Sequence, residues 1–386
     1  MIPYGRQSIS EADIEAVVEV LRSDFLTQGP AVPRFEKAAA SYCGADFGVA
    51  TNSATSALHL ACLALGVGPG DSVWTSPLTF VASANAALYC GADIDFVDID
   101  ERTYNMCPLK LEEKLGHAAE AGTLPKVIIP VHLAGQSCDM AAIHAAASRY
   151  DVRIIEDASH AIGGTYRSEP IGNCKFSDIA IFSFHPVKIV TTGEGGMAMT
   201  NSRELADLMR MDRTHGITRD PARLCHHDAG PWYYEQQRLG FNYRMTDICA
   251  ALGLSQLNRI DEFLVRRRAI AAAYDATFAN LPIVRPWQDP NAASAWHLYI
   301  IRIDPRQGAR SHREIFDALR TAGIGVNLHY VPVYRQPYYR ELGFGQGYCP
   351  KAEAYYAEAI SLPIYPALSD EEQREVVAAV TAAVMT

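Results

Sequence analysis

Nothing in this chain is spaced for a disulfide framework or a zinc site. Its nine cysteines are odd in number and none forms a C-x-x-C pair, the spacing that metal and redox motifs use. Such usage fits a reducing, cytoplasmic compartment. An excess of positive charge is missing too. The 34 Lys+Arg against 44 Asp+Glu leave a formal net charge of −10. That argues against a general nucleic-acid binder, because phosphate backbones demand a cationic surface. It leaves room for a local basic pocket that takes a small phosphorylated ligand. No apolar run has the length and continuity of a membrane helix: the two long uncharged stretches, 51–70 and 72–92, are broken by Gly, Pro, Asn and Ser. Met1 to Arg6 lack the apolar core of a signal peptide. There is no P-loop string. Gly66-x-Gly68-x-Gly70 follows a helical pattern rather than a strand, so it fails the dinucleotide fingerprint. Internal repeats and low-complexity segments are absent as well.

What is present is an ordinary globular composition, 49% hydrophobic and 20% charged over 386 residues. A chain of that length can bury a large core without staples, in two or three domains. Ser10 can cap a helix reaching Leu21, with Ile14, Val17, Val18 and Leu21 at helical spacing. A short strand at Gly48–Ala50 leads to a helix over Thr55–Leu65 that is apolar nearly all round, which predicts burial against a sheet. Short β-rich runs follow at Ser72–Thr75, Ile94–Val97, Val127–Val131, Arg153–Glu156, Ile179–Ser183 and Met197–Thr200. Helical patterns at Phe80–Tyr89, Leu109–Leu115, Met140–Tyr150 and Ser202–Met211 lie between them. The alternation predicts an α/β fold with a mainly parallel sheet covered on both faces. A long helical pattern from Asp247 through Ile260 to Tyr274 opens a second region. Its strands are expected at His297–Ile303 and Gly325–Asn327, and its helices at Ser311–Ala322, Lys351–Ile360 and Ser369–Val384. The domains expected are 1–250, large and α/β, and 251–386, smaller and α+β.

Three segments can carry chemistry. In Phe182-Ser183-Phe184-His185-Pro186-Val187-Lys188, continuing to Gly193-Glu194-Gly195-Gly196, an apolar strand ends in Ser and is followed by Lys and a Gly-rich turn. A lysine beside a strand end of a parallel sheet reaches the ligand crevice, and its amine can form a Schiff base with an aldehyde cofactor. The plain alternative is a solvated loop lysine. In Arg153-Ile154-Ile155-Glu156-Asp157-Ala158-Ser159-His160, carboxylates follow a buried strand and need a partner. Here Asp157 could merely cap a helix and His160 could be a satisfied core residue. Thr51-Asn52-Ser53-Ala54-Thr55-Ser56 joins a strand to a helix N-terminus, either as an anion cradle or as an ordinary capping run. Cys225-His226-His227-Asp228 are adjacent residues without ligand spacing, and no metal is expected there.

Together these segments resemble the DegT/DnrJ/EryC1/StrS sugar aminotransferases across nearly the whole chain. Further strings carry the resemblance: Asp24-Phe25-Leu26-Thr27-Gln28-Gly29-Pro30, Thr75-Ser76-Pro77-Leu78-Thr79-Phe80 and Leu239-Gly240-Phe241-Asn242-Tyr243-Arg244-Met245-Thr246-Asp247. The resemblance implies a type I pyridoxal-phosphate fold. It makes Lys188 the attachment lysine and Asp157 the acid that pairs with the pyridine nitrogen. It places Phe80 over the cofactor ring and His160 at the ring hydroxyl. The phosphate falls to Ala54, Thr55 and Ser183, helped by Asn242 from the neighbouring subunit of a homodimer. His329, Thr27, Tyr234 and Arg244 become substrate-side candidates, although Arg244 could instead form an inter-subunit salt bridge. The Ser183–Gly196 segment and Gly230-Pro231-Trp232-Tyr233-Tyr234-Glu235-Gln236-Gln237 are most similar to the branch serving pseudaminic acid synthesis. That branch aminates C4 of a UDP-linked 4-keto-6-deoxy-N-acetylhexosamine with L-glutamate. The aromatic run 232–234 suits a sugar or base face, or else packs an interface between subunits.

Rival readings stay open at this point. Amination at C3 is excluded by no residue, whereas dehydration is disfavoured by Lys188, since the related dehydratases carry His there. A non-catalytic sugar-binding homologue would be expected to have lost Lys188 or Asp157. A nicotinamide oxidoreductase lacks its fingerprint.

Overall fold

A computed structural model describes residues 1–226, 230–304 and 310–385. His227 and Asp228 of the Cys225–Asp228 run lie outside the described residues. Among those described, no group of His, Cys, Asp or Glu could hold a metal, and all nine cysteines are free thiols.

A seven-stranded sheet forms the centre. Its strands are β1 (Phe47–Thr51), β2 (Ser72–Thr75), β3 (Asp93–Phe96), β4 (Val127–Ile129), β5 (Arg153–Asp157), β6 (Ile179–Ser183) and β7 (Gly196–Thr200). Their order is β1-β7-β6-β5-β4-β2-β3. The pairs from β6 to β3 are parallel, and β7 runs antiparallel to both β1 and β6. Helices α1 (Glu11–Leu21), α2 (Ala31–Cys43), α3 (Ala54–Ala64), α4 (Ala82–Tyr89), α5 (Pro108–Ala121), α6 (Met140–Ser148) and α7 (Arg203–Asp212) accompany the sheet. The rest of the chain holds α8 (Asp247–Leu257), α9 (Ile260–Thr277), α10 (His312–Thr321), α11 (Pro337–Glu341), α12 (Pro350–Glu358) and α13 (Asp370–Met385). There β8 (Tyr299–Arg302) pairs with β9 (Ala359–Leu362), and Ile2–Pro3 pairs with Ile324–Gly325.

Side chains alternate across a strand, and here both faces are apolar. Val49, Ile155, Ile179, Ile181 and Ala198 share one core with α3, α4 and α7. Their neighbours Ala50, Ala180, Phe182, Met197 and Met199 pack on the other face against α2, α8 and α9. Further along that second face, Trp74, Ile128 and Ile154 meet Leu111 and Leu115 of α5 and Ile143 of α6. The apolar runs without polar alternation therefore come from burial on both faces.

Two expectations need correction. The helical pattern from Asp247 to Tyr274 is two helices, because Arg259 leaves helical geometry between α8 and α9. The run Lys351–Ile360 is helical only to Glu358; Ala359 turns extended and its strand joins β8. Helix α1 carries Ile14 and Leu21 at 47% and 54% exposure in the single chain. The expected boundary after residue 250 falls inside α8, whose Ala250 and Leu257 pack with the sheet. From Ile270 onward α9 joins a separate core with β8, β9 and α13.

Helix α2 has no sequence signature at its start, since Pro30 offers no side-chain cap. The acceptor comes from 216 positions away. The buried carboxylate of Asp247 accepts the N–H groups of Gly29 and Ala31 at 2.7 Å each, and that of Val32 at 3.4 Å. One acid thus begins α8 and caps α2, tying together the layer behind the sheet. Asp247→Ala orphans buried donors and should cost roughly 2–3 kcal/mol. A lowered midpoint of urea unfolding at unchanged slope checks this; an unchanged midpoint rejects it.

Candidate active site

A cavity of about 620 Å³ opens at the carboxyl edge of the sheet, where open α/β folds bind ligands. Two register pairs build its floor. Gly196 lies opposite Thr51 in β1 and opposite Ser183 in β6. A Cβ at position 196 would stand 2.5 Å from the Ser53 carbonyl oxygen, so only glycine lets the start of β7 come this close to the loop before α3. Ser53 caps α3, its hydroxyl accepting the Ser56 N–H at 3.1 Å. The N–H groups of Ala54 and Thr55, first in the helix, find no acceptor among the described residues. With Ser183 they line one end of the cavity as an anion cradle.

Asp157 ends β5 and is buried. Turns follow it rather than a helix, so it caps none. The Ser83 hydroxyl of α4 donates to Oδ2 at 2.6 Å and the Ser159 N–H donates to Oδ1 at 3.1 Å. Since Ser83 spends its proton on Asp157, the Thr79 hydroxyl donates in the 2.7 Å bond between Thr79 and Ser83. The basic partner expected for a carboxylate after this strand belongs to Glu156 instead. His132 Nε2 lies 2.8 Å from Glu156 Oε2, both groups buried. Burial opposes protonation of His132, while Cys138 and Glu156 favour it; its Nδ1 accepts the Cys138 N–H at 3.1 Å, so the hydrogen shared with Glu156 sits on Nε2. The His132 backbone N–H also holds the Asp157 carbonyl at 3.0 Å. A buried histidine–carboxylate hydrogen bond thus braces the strand end from behind while the Asp157 carboxylate faces the cavity.

Lys188 lines the same space, half-buried in the loop after β6. Burial lowers its pKa to about 8, partly countered by Asp157. His160 is buried, its Nδ1 accepting the Ala134 N–H at 3.3 Å and its Nε2 lying 3.2 Å from the Tyr330 hydroxyl. Burial first, then Lys188 and His329, push its pKa well below the ordinary imidazole value. His329 comes from the segment before α11. It sits 2.8 Å from the Ser361 hydroxyl, and burial, then Lys188, lower it to about 3. Phe80 presents its ring at the mouth, 61% exposed.

These residues fit pyridoxal phosphate. Free helix N–H groups and Ser183 suit a dianion, a buried carboxylate suits a protonated pyridine nitrogen, and a partly neutral amine suits an aldehyde. The profile of the DegT/DnrJ/EryC1/StrS aminotransferase family matches residues 7–381. The chain belongs to that family. It is 41% identical over 382 residues to the Bacillus subtilis spore coat polysaccharide biosynthesis protein SpsC, covering 98% of this chain and 96% of that one. Identity is 38% over 366 residues to the UDP-4-amino-4,6-dideoxy-N-acetyl-beta-L-altrosamine transaminase of Campylobacter jejuni, with coverage of 95% and 93%. Among solved structures, Helicobacter pylori PseC, an aminotransferase involved in pseudoaminic acid biosynthesis, superposes with a TM-score of 0.90 at 30% identity, covering 100% and 99%. Spr1654 of Streptococcus pneumoniae matches its PMP form at 0.90 and 33%, covering 99% of each chain, and has also been solved in a PLP form. The chain is therefore a pyridoxal-phosphate-dependent sugar aminotransferase, with a nucleotide-sugar and an amino donor as its substrates.

Within a single chain of this aminotransferase the cavity gathers Ala54, Thr55, Phe80, Asp157, His160, Ser183, Lys188 and His329. Asn242, Thr27, Arg244 and Tyr234 are not among its lining residues. Asn242 is exposed, with its carbonyl 3.5 Å from Asn52 Nδ2. Thr27 bridges to Thr246 and Arg244 to Thr51, while Tyr234 stands half-exposed with Arg219 over its ring. Sequence reasoning missed Tyr4, Ser83 and Tyr330. Ser83 was within reach, lying one helical turn beyond Phe80; Tyr4 carries no local signal. No helix among the described residues is long and apolar enough to cross a membrane.

A pKa near 8 leaves a useful fraction of Lys188 amine neutral at pH 7 to 8. In cofactor-free enzyme, borohydride trapping of pyridoxal phosphate followed by peptide mapping should place the label on Lys188. Its initial rate should rise with pH and level off above about 8. A rate still climbing near pH 10, or a label on another lysine, contradicts this.

Proposed function

We propose that this aminotransferase moves the amino group of L-glutamate to C4 of a UDP-linked 4-keto-6-deoxy-N-acetylhexosamine of the L-arabino series. The product is UDP-4-amino-4,6-dideoxy-N-acetyl-β-L-altrosamine, an intermediate of pseudaminic acid synthesis. The observation that carries this reading is the 38% identity, over nearly all of both chains, to the Campylobacter jejuni protein named for that product. Helicobacter pylori PseC supports the same branch. A second reading has its own support. The 41% identical Bacillus subtilis relative is named for spore coat polysaccharide, which favours a different keto nucleotide-sugar, either another C4 epimer or a 3-ketone.

The residue roles belong to the same proposal. Pyridoxal phosphate, when bound, supplies the electron sink for a carbanion at the amino-bearing carbon. Ala54, Thr55 and Ser183 hold its phosphate, Phe80 covers its ring and Lys188 anchors it covalently. Asp157 keeps the pyridine nitrogen protonated, and the Ser83 and Ser159 donors hold its carboxylate in place. The freed Lys188 amine lifts the proton from Cα of L-glutamate and, in the second half, delivers one to C4 of the sugar. Its lowered pKa suits a base that works near neutrality. His329 and the 251–386 region close the substrate side over the 1–250 region.

Asn242, Thr27, Tyr234 and Arg244, outside the cavity of their own chain, are read as serving the cavity of a partner subunit. Exposed Ile9, Ile14, Leu21, Phe25 and Leu26 on and around α1 give a homodimer an apolar face to cover.

Asp157→Asn should fold, bind the cofactor and lose roughly 100- to 1000-fold in turnover, because an amide cannot hold the nitrogen protonated. Wild-type rates in that variant would reduce Asp157 to a structural role. Sedimentation should show a dimer, and a fully active monomer would refute the shared site. The substrate is tested with the UDP-linked 4-keto-L-arabino and 4-keto-D-xylo epimers plus glutamate, with products read by mass and NMR. Amine should form at C4 of the L-arabino epimer in clear preference. Preference for the other epimer, or amine at C3, rejects the pseudaminic assignment and leaves the aminotransferase intact.

A further inference from the structure

His297 takes no part in the cavity lining, yet its ring centroid lies 4.3 Å from that of His160 at an interplanar angle of 46°. It is buried, and its Nδ1 has no hydrogen-bond partner. The backbone around it is pinned from two sides. Toward the sheet, the Ala295 N–H donates to the Gly135 carbonyl at 3.0 Å and the Leu298 N–H to the Ala134 carbonyl at 3.3 Å. Gly135, at φ +100°, leaves no room for a side chain: a Cβ there would stand 2.9 Å from the His160 carbonyl oxygen and 3.1 Å from the His297 nitrogen. From the far side, Arg267 of α9 reaches in. Its Nη1 donates to the carbonyls of Trp296, His297 and Ile364 at 3.0, 3.3 and 2.9 Å. Arg267 is 1% exposed and forms no ion pair among the described residues.

We infer that His297 is a positioning residue for His160, holding it as the neutral tautomer with its hydrogen on Nε2. The Ala134 N–H occupies Nδ1 as a donor, so a neutral His160 has its one hydrogen on Nε2, on the side of Tyr330 and the cavity. The ring of His297 blocks the rotation that would exchange the two nitrogens. Charging either imidazole is opposed first by burial, then by Lys188 and His329 around His160, and by His160, Lys188, Arg267 and His329 around His297. Asp157 and Tyr330 are the remaining titratable groups nearby, and Tyr330 is held neutral by burial. Arg267 behind His297 thus adds to the burial that keeps that ring uncharged against His160. If His160 meets the cofactor's ring oxygen, a clause that rests on the functional reading above, it does so as a neutral donor that adds no positive charge.

The test uses cofactor-free protein labelled with ¹⁵N-histidine. Its readout is the pair of imidazole nitrogen shifts of His160, assigned by His160→Gln, between about pH 6 and 8, where an ordinary imidazole titrates. Wild type should show an unprotonated Nδ1 and a protonated Nε2 with no titration. His297→Phe keeps a flat ring and should preserve that pattern. His297→Leu keeps similar bulk without the ring face and should give mixed tautomers or titration inside the window. A wild-type His160 that is cationic or protonated on Nδ1 overturns the inference without any His297 variant, and so does an unchanged pattern in His297→Leu. Failure of pyridoxal phosphate to form a chromophore with wild type would count against the functional reading alone, since the shifts are read without cofactor.

Discussion

Gly196 pairs with Thr51 on one side and Ser183 on the other, and through these contacts the antiparallel strand β7 spaces the anion cradle from the lysine loop. Backbone pairing fixes that distance to within a hydrogen-bond length. The Ala54–Thr55 helix start lies more than 120 positions from Ser183 and Lys188 in the chain. The absence of a Cβ at 196 is what allows the strand start to reach the loop before α3. Every other group in the cavity is arranged around this fixed edge.

The electrostatics follow from burial. Three potential cations, Lys188, His160 and His329, share one cavity, and desolvation drives all three toward their neutral forms. Asp157 forms no ion pair among the described residues; hydroxyl and amide donors satisfy it instead. Its neighbour Glu156 has the opposite arrangement, hydrogen-bonded to His132 on the far side of the strand. Two adjacent carboxylates on one strand end therefore differ because alternation points them to opposite faces. One is partnered within the fold, and the other faces the cavity.

A buried acid at a strand end, a lysine after the next strand and a hydroxyl-rich helix start were legible because each is a local pattern: an apolar run, then a change of residue type. The same locality explains why the strands β2 and β6 were read to the residue. It explains the failures too. Helix α2 borrows its cap from Asp247, and β9 is extended only because β8 lies beside it. Ser83 reaches Asp157, and His297 reaches His160, across separations of 74 and 137 positions. None of these contacts leaves a periodic trace.

By itself, then, the order of residues determined the α/β class, the doubly buried sheet and the chemistry available at its edge. Those depend on hydrophobic period and on residue type, which are written one position after another. Tertiary structure alone decided which donors satisfy Asp157, which imidazoles stay neutral and which candidate residues reach the cavity of their own chain. Such properties depend on desolvation and on distances across the fold, and neither exists until the layers have packed.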